Sequence, residues 1–136
     1  LSGGEKKRLC IASVLAWDPD VVVMDEPTVG QDFIQKERLT QVIRMLVSNG
    51  KAVVLVSHDI EFIWPLQPRV IVMSEGRIIA DNKADKIFQD KEILDKSRII
   101  KPQLQKLSEK LHVESPDAFS NVIDAKQWII SRLDSD

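Results

Sequence analysis

Two adjacent carboxylates, Asp25 and Glu26, end an apolar run, Val21-Val22-Val23-Met24, and Pro27 follows them. A short apolar, β-branched run reads as a buried parallel strand. Ligands of open α/β sheets bind beyond the carboxyl ends of such strands, which is where these two acids fall. Pro27 cannot continue the ladder, so the chain must leave the sheet there. The chemistry this suggests is one carboxylate for a metal ion and a second for a water molecule. A second apolar run, Ala52-Val53-Val54-Leu55-Val56, ends in Ser57-His58-Asp59. Ser2-Gly3-Gly4 precedes a helical pattern, so a hydroxyl cap and open backbone N–H groups lie at a helix start, a place that favours anions.

The surrounding pattern supplies the elements that must hold these groups. Leu9, Ile11, Ala12, Leu15 and Ala16 predict a helix over about 4–17, broken by Asp18-Pro19-Asp20 before the strand at 21–24. Residues 28–32 read as a loop, and Leu39, Val42, Ile43 and Leu46 predict a helix over 33–48. Asn49-Gly50 closes that helix with a left-handed cap. A second strand spans 52–56, a short helix 60–66, and a hairpin pairs 69–73 with 77–80 across Ser74-Glu75-Gly76. Strand, helix, strand with apolar runs implies parallel pairing. Two such strands do not complete a sheet, so the rest of it is expected before Leu1.

Beyond Asp81 the pattern becomes helical. Residues 84–95 read as short helical pieces and 97–101 as a connector. Pro102 opens a helix with Leu104, Leu107 and Leu111 on one face, and Ser115-Pro116 marks a turn. Asp124 with Gln127 resembles a capping box before a last helix over 124–133. This tail has little apolar surface of its own and is expected to dock on the sheet or on a partner.

The 136 residues are 43% hydrophobic and 29% charged, which suits one globular domain and argues against disorder. A formal charge of −2 gives no bulk attraction to nucleic acid or to a membrane surface, and no nucleic-acid partner is expected. No apolar run is long enough to span a bilayer. The single cysteine, Cys10, excludes an internal disulfide and reads as a small buried hydrophobe. No zinc-ligand spacing joins it to the two histidines.

Four elements recur in a fixed order: Leu1-Ser2-Gly3-Gly4, the apolar strand with Asp25-Glu26-Pro27, Asp32 after a tight loop, and Ser57-His58-Asp59. In this the sequence resembles the ATP-binding cassette (ABC) ATPases over about residues 1–82. The matching elements are the signature, the Walker B strand, the D-loop and the switch histidine. The resemblance implies an α/β fold: the C-terminal part of a P-loop NTPase, a RecA-like parallel sheet with helices, followed by a small helical tail at 83–136. It implies that Asp25 holds Mg²⁺ through water and that Glu26 polarises the attacking water. It gives His58 a contact with the γ-phosphate. Ser2, Gly3 and Gly4 would bind the γ-phosphate of ATP held by a second ATPase subunit, and Asp32 would reach that subunit's site. Position 5 departs from the family in being Glu where Gln is common, and a carboxylate beside a phosphate must turn away from it. No G-x-x-x-x-G-K-[ST] occurs in the chain, so this segment alone is expected to be inactive and the complete protein to hydrolyse ATP.

Residues 76–111, including Lys101-Pro102-Gln103-Leu104, resemble the ATPase subunits of energy-coupling-factor transporters, the importers of cobalt, nickel and vitamins. That implies transmembrane partner subunits, a peripheral place on the cytoplasmic face of the membrane, and a tail that contributes to the ATPase dimer. The competing expectation is a soluble ABC ATPase acting in translation or DNA repair.

Overall fold

Asp18 and Asn49-Gly50 are the punctuation marks of the first half of the chain. In the computed structural model, which describes residues 3–113 and 119–133, helix α1 runs over Gly3–Leu15. It stops short of Trp17 because Asp18 takes a left-handed conformation (φ +49°) and the last turn tightens onto the Val14 and Leu15 carbonyls. Strand β1 (Val21–Asp25) pairs in parallel with β2 (Ala52–Val56), Val21 opposite Ala52 and Asp25 opposite Val56. Between them lies α2 (Phe33–Ser48), the helix expected there. Asn49 caps it, and Gly50 at φ +78° lets the Lys51 N–H return to the Leu46 carbonyl at 3.0 Å, closing the helix with a left-handed residue. One helical turn, α3 (Ile60–Ile63), follows β2, and Trp64–Leu66 continue it as a 3₁₀ turn. Pro65 inside that turn favours the tighter winding over the single α-helix expected for 60–66.

The chain forms two compact units, Leu1–Phe62 and Ile63–Asp136. In the first, Val22 and Met24 of β1 are buried, as are Leu39, Ile43 and Leu46 of α2 and Phe62. The strands are not buried on both faces as their apolar runs suggest. Val21, Val23, Val54 and Val56 are exposed, in strict alternation with the inward positions. Burial here follows the period of two that a sheet covered on one face imposes. Helix α1 likewise has Leu9 and Ala12 exposed, as is Ala16 just past its end, and only Ile11 and Leu15 of the expected apolar face are half-buried. Cys10, read from sequence as a buried hydrophobe, shares the open face of that helix and is exposed.

In the second unit, β3 (Arg69–Ser74) and β4 (Arg77–Lys83) form an antiparallel hairpin. Its two-residue turn, Glu75-Gly76, has both residues at positive φ, +50° and +74°, the twist that matches the flanking strands. A bulge between Val72 and Met73 shifts the register, and β4 runs three residues past the expected end at Ala80. Arg69 grips Asp81 with two hydrogen bonds of 2.7 and 2.6 Å, and each group holds the other in its charged form. Helices α4 (Ala84–Gln89), α5 (Lys91–Ser97), α6 (Gln103–Lys110) and α7 (Val122–Leu133) complete the unit.

The core of this unit is aromatic. Trp64 and Phe88 meet edge to face at 5.8 Å, and the Trp64 indole N–H donates to the Phe119 carbonyl at 2.7 Å. Phe119 meets Trp128 of α7 at 5.7 Å. The leucine face expected on α6 is only half-buried; the deepest positions are Gln105 and Ser108. Polar residues win there because the Ser108 hydroxyl donates to the Leu104 carbonyl at 3.0 Å and accepts the Phe119 N–H at 2.9 Å. The capping box expected at Asp124 lies one turn earlier. Asn121 accepts the Asp124 N–H at 3.0 Å, and its amide reaches back to the Asp124 carboxylate at 2.6 Å, so α7 starts at Val122. The turn expected at Ser115-Pro116 lies outside the described residues.

Candidate functional site

Parallel pairing in register brings the ends of β1 and β2 side by side, and with them the residues that follow each strand. The ladder extends one bond past Asp25, where the Glu26 N–H donates to the Val56 carbonyl at 2.8 Å. Glu26 then turns left-handed, φ +44°, unusual for a residue with a side chain. Such strain persists where the surroundings over-determine it. Here the backbone bond to Val56 and the buried Pro27 hold Glu26 from both sides.

The turn aims the Glu26 carboxylate at the segment after β2. Its Oε1 accepts the His58 backbone N–H at 3.1 Å and lies 2.7 Å from His58 Nδ1; its Oε2 accepts the Ser57 hydroxyl at 3.4 Å. The His58 side chain is 79% exposed and that of Glu26 34%. The hydrogen bond from His58 holds the Glu26 carboxyl below its ordinary range, with the imidazolium charge adding to it. The same bond, and the Glu26 charge, raise His58 above the usual histidine value. Asp25, the last residue of β1, is exposed. It borders an open groove of about 340 Å³ beside α1, lined also by Lys6, Cys10, Ile11, Val23 and Glu26.

The remaining expected residues are placed as follows. Gly3 opens α1 and is exposed. Gly4 is half-buried, and a Cβ there would lie 3.0 Å from Gln35 Oε1, so glycine lets the start of α1 approach the start of α2. Ser2 lies outside the described residues. Asp32 caps α2, accepting the Gln35 N–H at 2.8 Å, and is exposed. From α1, the Lys7 ammonium donates to the Val29 carbonyl at 2.6 Å and ties that helix to the loop before Asp32. The structure therefore joins Glu26 with His58, while Asp32 and Gly4 both stand at the start of α2.

Sequence reading missed a network behind this pair. Asp59 receives the Lys36 ammonium from α2 at 2.5 Å, the Phe62 N–H at 3.2 Å and the hydroxyl of buried Thr28. Its own N–H donates to Ser57 Oγ at 3.1 Å. Burial alone would raise the Asp59 carboxyl, but the hydrogen bonds from Lys36, Thr28 and Phe62 and the Lys36 charge outweigh it and lower it. A lysine one turn into a helix carries no pattern that announces such a partner 23 residues away.

Residues 1–29 match the sequence model of a family described as ABC transporter. The chain is 42% identical over 111 residues to the energy-coupling factor transporter ATP-binding protein EcfA2 of Methanospirillum hungatei, across 82% of this chain and 28% of that protein. The chain belongs to the ABC transporter ATPase family. Its fold matches the solved structure of cbiO1 from Clostridium perfringens, described as part of the ABC transporter complex cbiONQ, with a TM-score of 0.57 and 32% identity over 82% of this chain and 44% of that one. As an ABC segment it spans less than half the length of either relative. The mixed α/β fold with a parallel strand pair agrees with the expected class. None of the helices among the described residues is long and apolar enough to cross a membrane.

Proposed function

We propose that this chain is part of an ATP-hydrolysing subunit that powers a membrane transporter, an energy-coupling-factor importer of metal ions or vitamins. The observation that carries the ATPase reading is the meeting of Glu26 and His58, 2.7 Å apart, at the adjacent ends of two parallel strands. The likeness to EcfA2 and cbiO1 supports the importer branch.

In this reading Glu26 is the base that orients and polarises the water attacking the γ-phosphate; a base needs hydrogen-bond reach of that water. Its carboxylate is ionised and one-third exposed. His58, still more exposed, reaches the γ-phosphate, and its raised proton affinity suits an anion. The donor set fits Mg²⁺ only as a partly hydrated ion. Asp25 is a single exposed carboxylate, and no group of three or more potential ligands gathers among the described residues. Magnesium is commonly held in that way, by one carboxylate, waters and substrate phosphates. When bound, it supplies positive charge to the phosphate oxygens.

Ser2, Gly3 and Gly4 would present the open start of α1 to ATP bound by a second ATPase subunit, with Asp32 meeting that subunit's site. The residues at 83–136 would contribute to pairing, transmembrane subunits would be the coupled partners, and the assembly would sit on the cytoplasmic face of the membrane. The segment alone would not turn ATP over. The test is Glu26→Gln in the complete protein. ATP binding should persist, hydrolysis should fall by about a hundredfold or more, and the dimer should stay closed. Unchanged turnover would remove Glu26 from the role of base.

A further inference from the structure

Lys36 lies on α2, one turn after Asp32, and takes no direct part in the chemistry described above. Its ammonium nevertheless meets Asp59, the residue after His58, and both side chains are partly withdrawn from water, at 34% and 17% exposure. Asp59 also takes the hydroxyl of Thr28, which opens the loop leading to Asp32 and is itself buried. The Asp59 carboxylate is therefore a junction of three segments: the loop after β1, the first turns of α2, and the start of α3 through the Phe62 N–H.

The backbone of the same residue faces the reacting pair. The Asp59 N–H donates to Ser57 Oγ, whose hydroxyl hydrogen goes to Glu26 Oε2, and Asp59 is bonded directly to His58. A shift of the carboxylate toward or away from α2 must move this backbone, and with it the two donors His58 offers to Glu26 Oε1. Thr28 and Asp32 bracket one five-residue loop, whose far end is fixed as the cap of α2. Lys36 sits one turn along that helix, so loop, helix and switch residue form a closed circuit.

We infer that Lys36 and Asp59 are positioning residues, a strut that registers His58 and Glu26 against the loop from Thr28 to Asp32. The inference rests on the ATPase reading proposed above. If that loop meets the second subunit, the strut carries the state of the interface to the water-activating pair. The geometry suits the task because a charge-assisted bond between partly buried groups is stronger than a neutral one. Displacing reacting groups by about an ångström costs on the order of a hundredfold in rate.

The experiment compares wild type, Glu26→Gln, Lys36→Met, Lys36→Arg and Thr28→Val in the complete ATPase, measuring kcat, KM for ATP and the thermal midpoint. Lys36→Met should lower kcat about ten- to a hundredfold while KM stays within about twofold. Lys36→Arg should recover most of kcat, since it keeps a cation in reach of Asp59. Thr28→Val, which keeps the volume and the ion pair, should lower kcat about threefold or more, by loss of one charge-assisted bond. The ring signals of His58 in a nuclear magnetic resonance spectrum should shift in Lys36→Met. A kcat for Lys36→Met within about twofold of wild type, with the protein folded, overturns the strut. So does a kcat loss that only follows loss of folded protein and is not recovered by Lys36→Arg. If Lys36→Met does not fold, Thr28→Val decides: unchanged kcat there overturns the inference. A Glu26→Gln variant that still turns over normally would instead bring down the reading of the site itself, whatever the Lys36 variants do.

Discussion

Ser108→Ala tests the aromatic core of the second unit at a single atom. The Ser108 hydroxyl accepts the Phe119 N–H at 2.9 Å, and both residues are almost fully buried, at 1% and 2% exposure. Alanine removes the acceptor and leaves that buried N–H without its partner. The Leu104 carbonyl, which the hydroxyl also bonds, lies within α6, so the loss of that bond counts little. The cost is then the desolvation of one buried donor, about 1–3 kcal/mol. Little cavity is created, because only one oxygen leaves. Phe119 also accepts the Trp64 indole N–H and packs against Trp128, so the loosened segment is the one that anchors α7. A local assay reads this best: amide hydrogen exchange over residues 119–133. At about 2 kcal/mol, exchange there should quicken roughly thirtyfold, while amides of β1 and β2 hardly change. Exchange over 119–133 within about twofold of wild type would refute the claim that this bond anchors the helix. If residues 83–136 serve subunit pairing, the same variant should dimerise more weakly.

The Glu26–His58 pair predicts a bounded pH window. Glu26 titrates below its ordinary value, so the contribution of its charge is lost as pH falls through that lowered value. His58 titrates above 6.5, so its contribution is complete below that value and is lost as pH rises through the raised one. The pair is intact between these limits. A nuclear magnetic resonance titration of His58 should show the raised midpoint, and Glu26→Gln should return it toward 6.5; an unmoved midpoint would contradict the pairing. Asp90 caps α5 by accepting the Glu92 and Ile93 N–H groups at 2.9 and 3.1 Å. Asp90→Ala should cost about 1 kcal/mol, seen in chemical denaturation, and Asp90→Ser should recover most of it.

Elements whose identity rests on local pattern are legible in the sequence. The helix over Phe33–Ser48 and the strand Ala52–Val56 fall where periodicity and the Asn49-Gly50 stop place them. The meeting of Glu26 with His58 follows from their position at the ends of two strands, because parallel pairing in register sets those ends side by side. Exposure is not legible in the same way. An apolar run such as Val21–Met24 is compatible with cover on one face or on two, and only the alternation in the fold decides between them. The polar face of α6 is hidden for a related reason. Leucine spacing marks where apolar cover is available, whereas Ser108 is buried by what a loop residue, Phe119, needs from it.

The same distinction separates the residues that would react from those that hold them. Glu26 and His58 are recognisable because reaction chemistry restricts the residue type and the strand ends restrict the place. Lys36 and Asp59 answer to neither restriction. Any cation of suitable reach on the first turns of α2 would serve as well, so the pairing is visible only once α2 has been laid beside the segment after β2. This explains why Lys36→Arg is expected to be mild when Glu26→Gln, equally conservative in size, is expected to be severe. The first keeps the function of a strut, which needs a charge at a distance. The second would remove the proposed function of a base, which needs an ionised carboxylate at one atom.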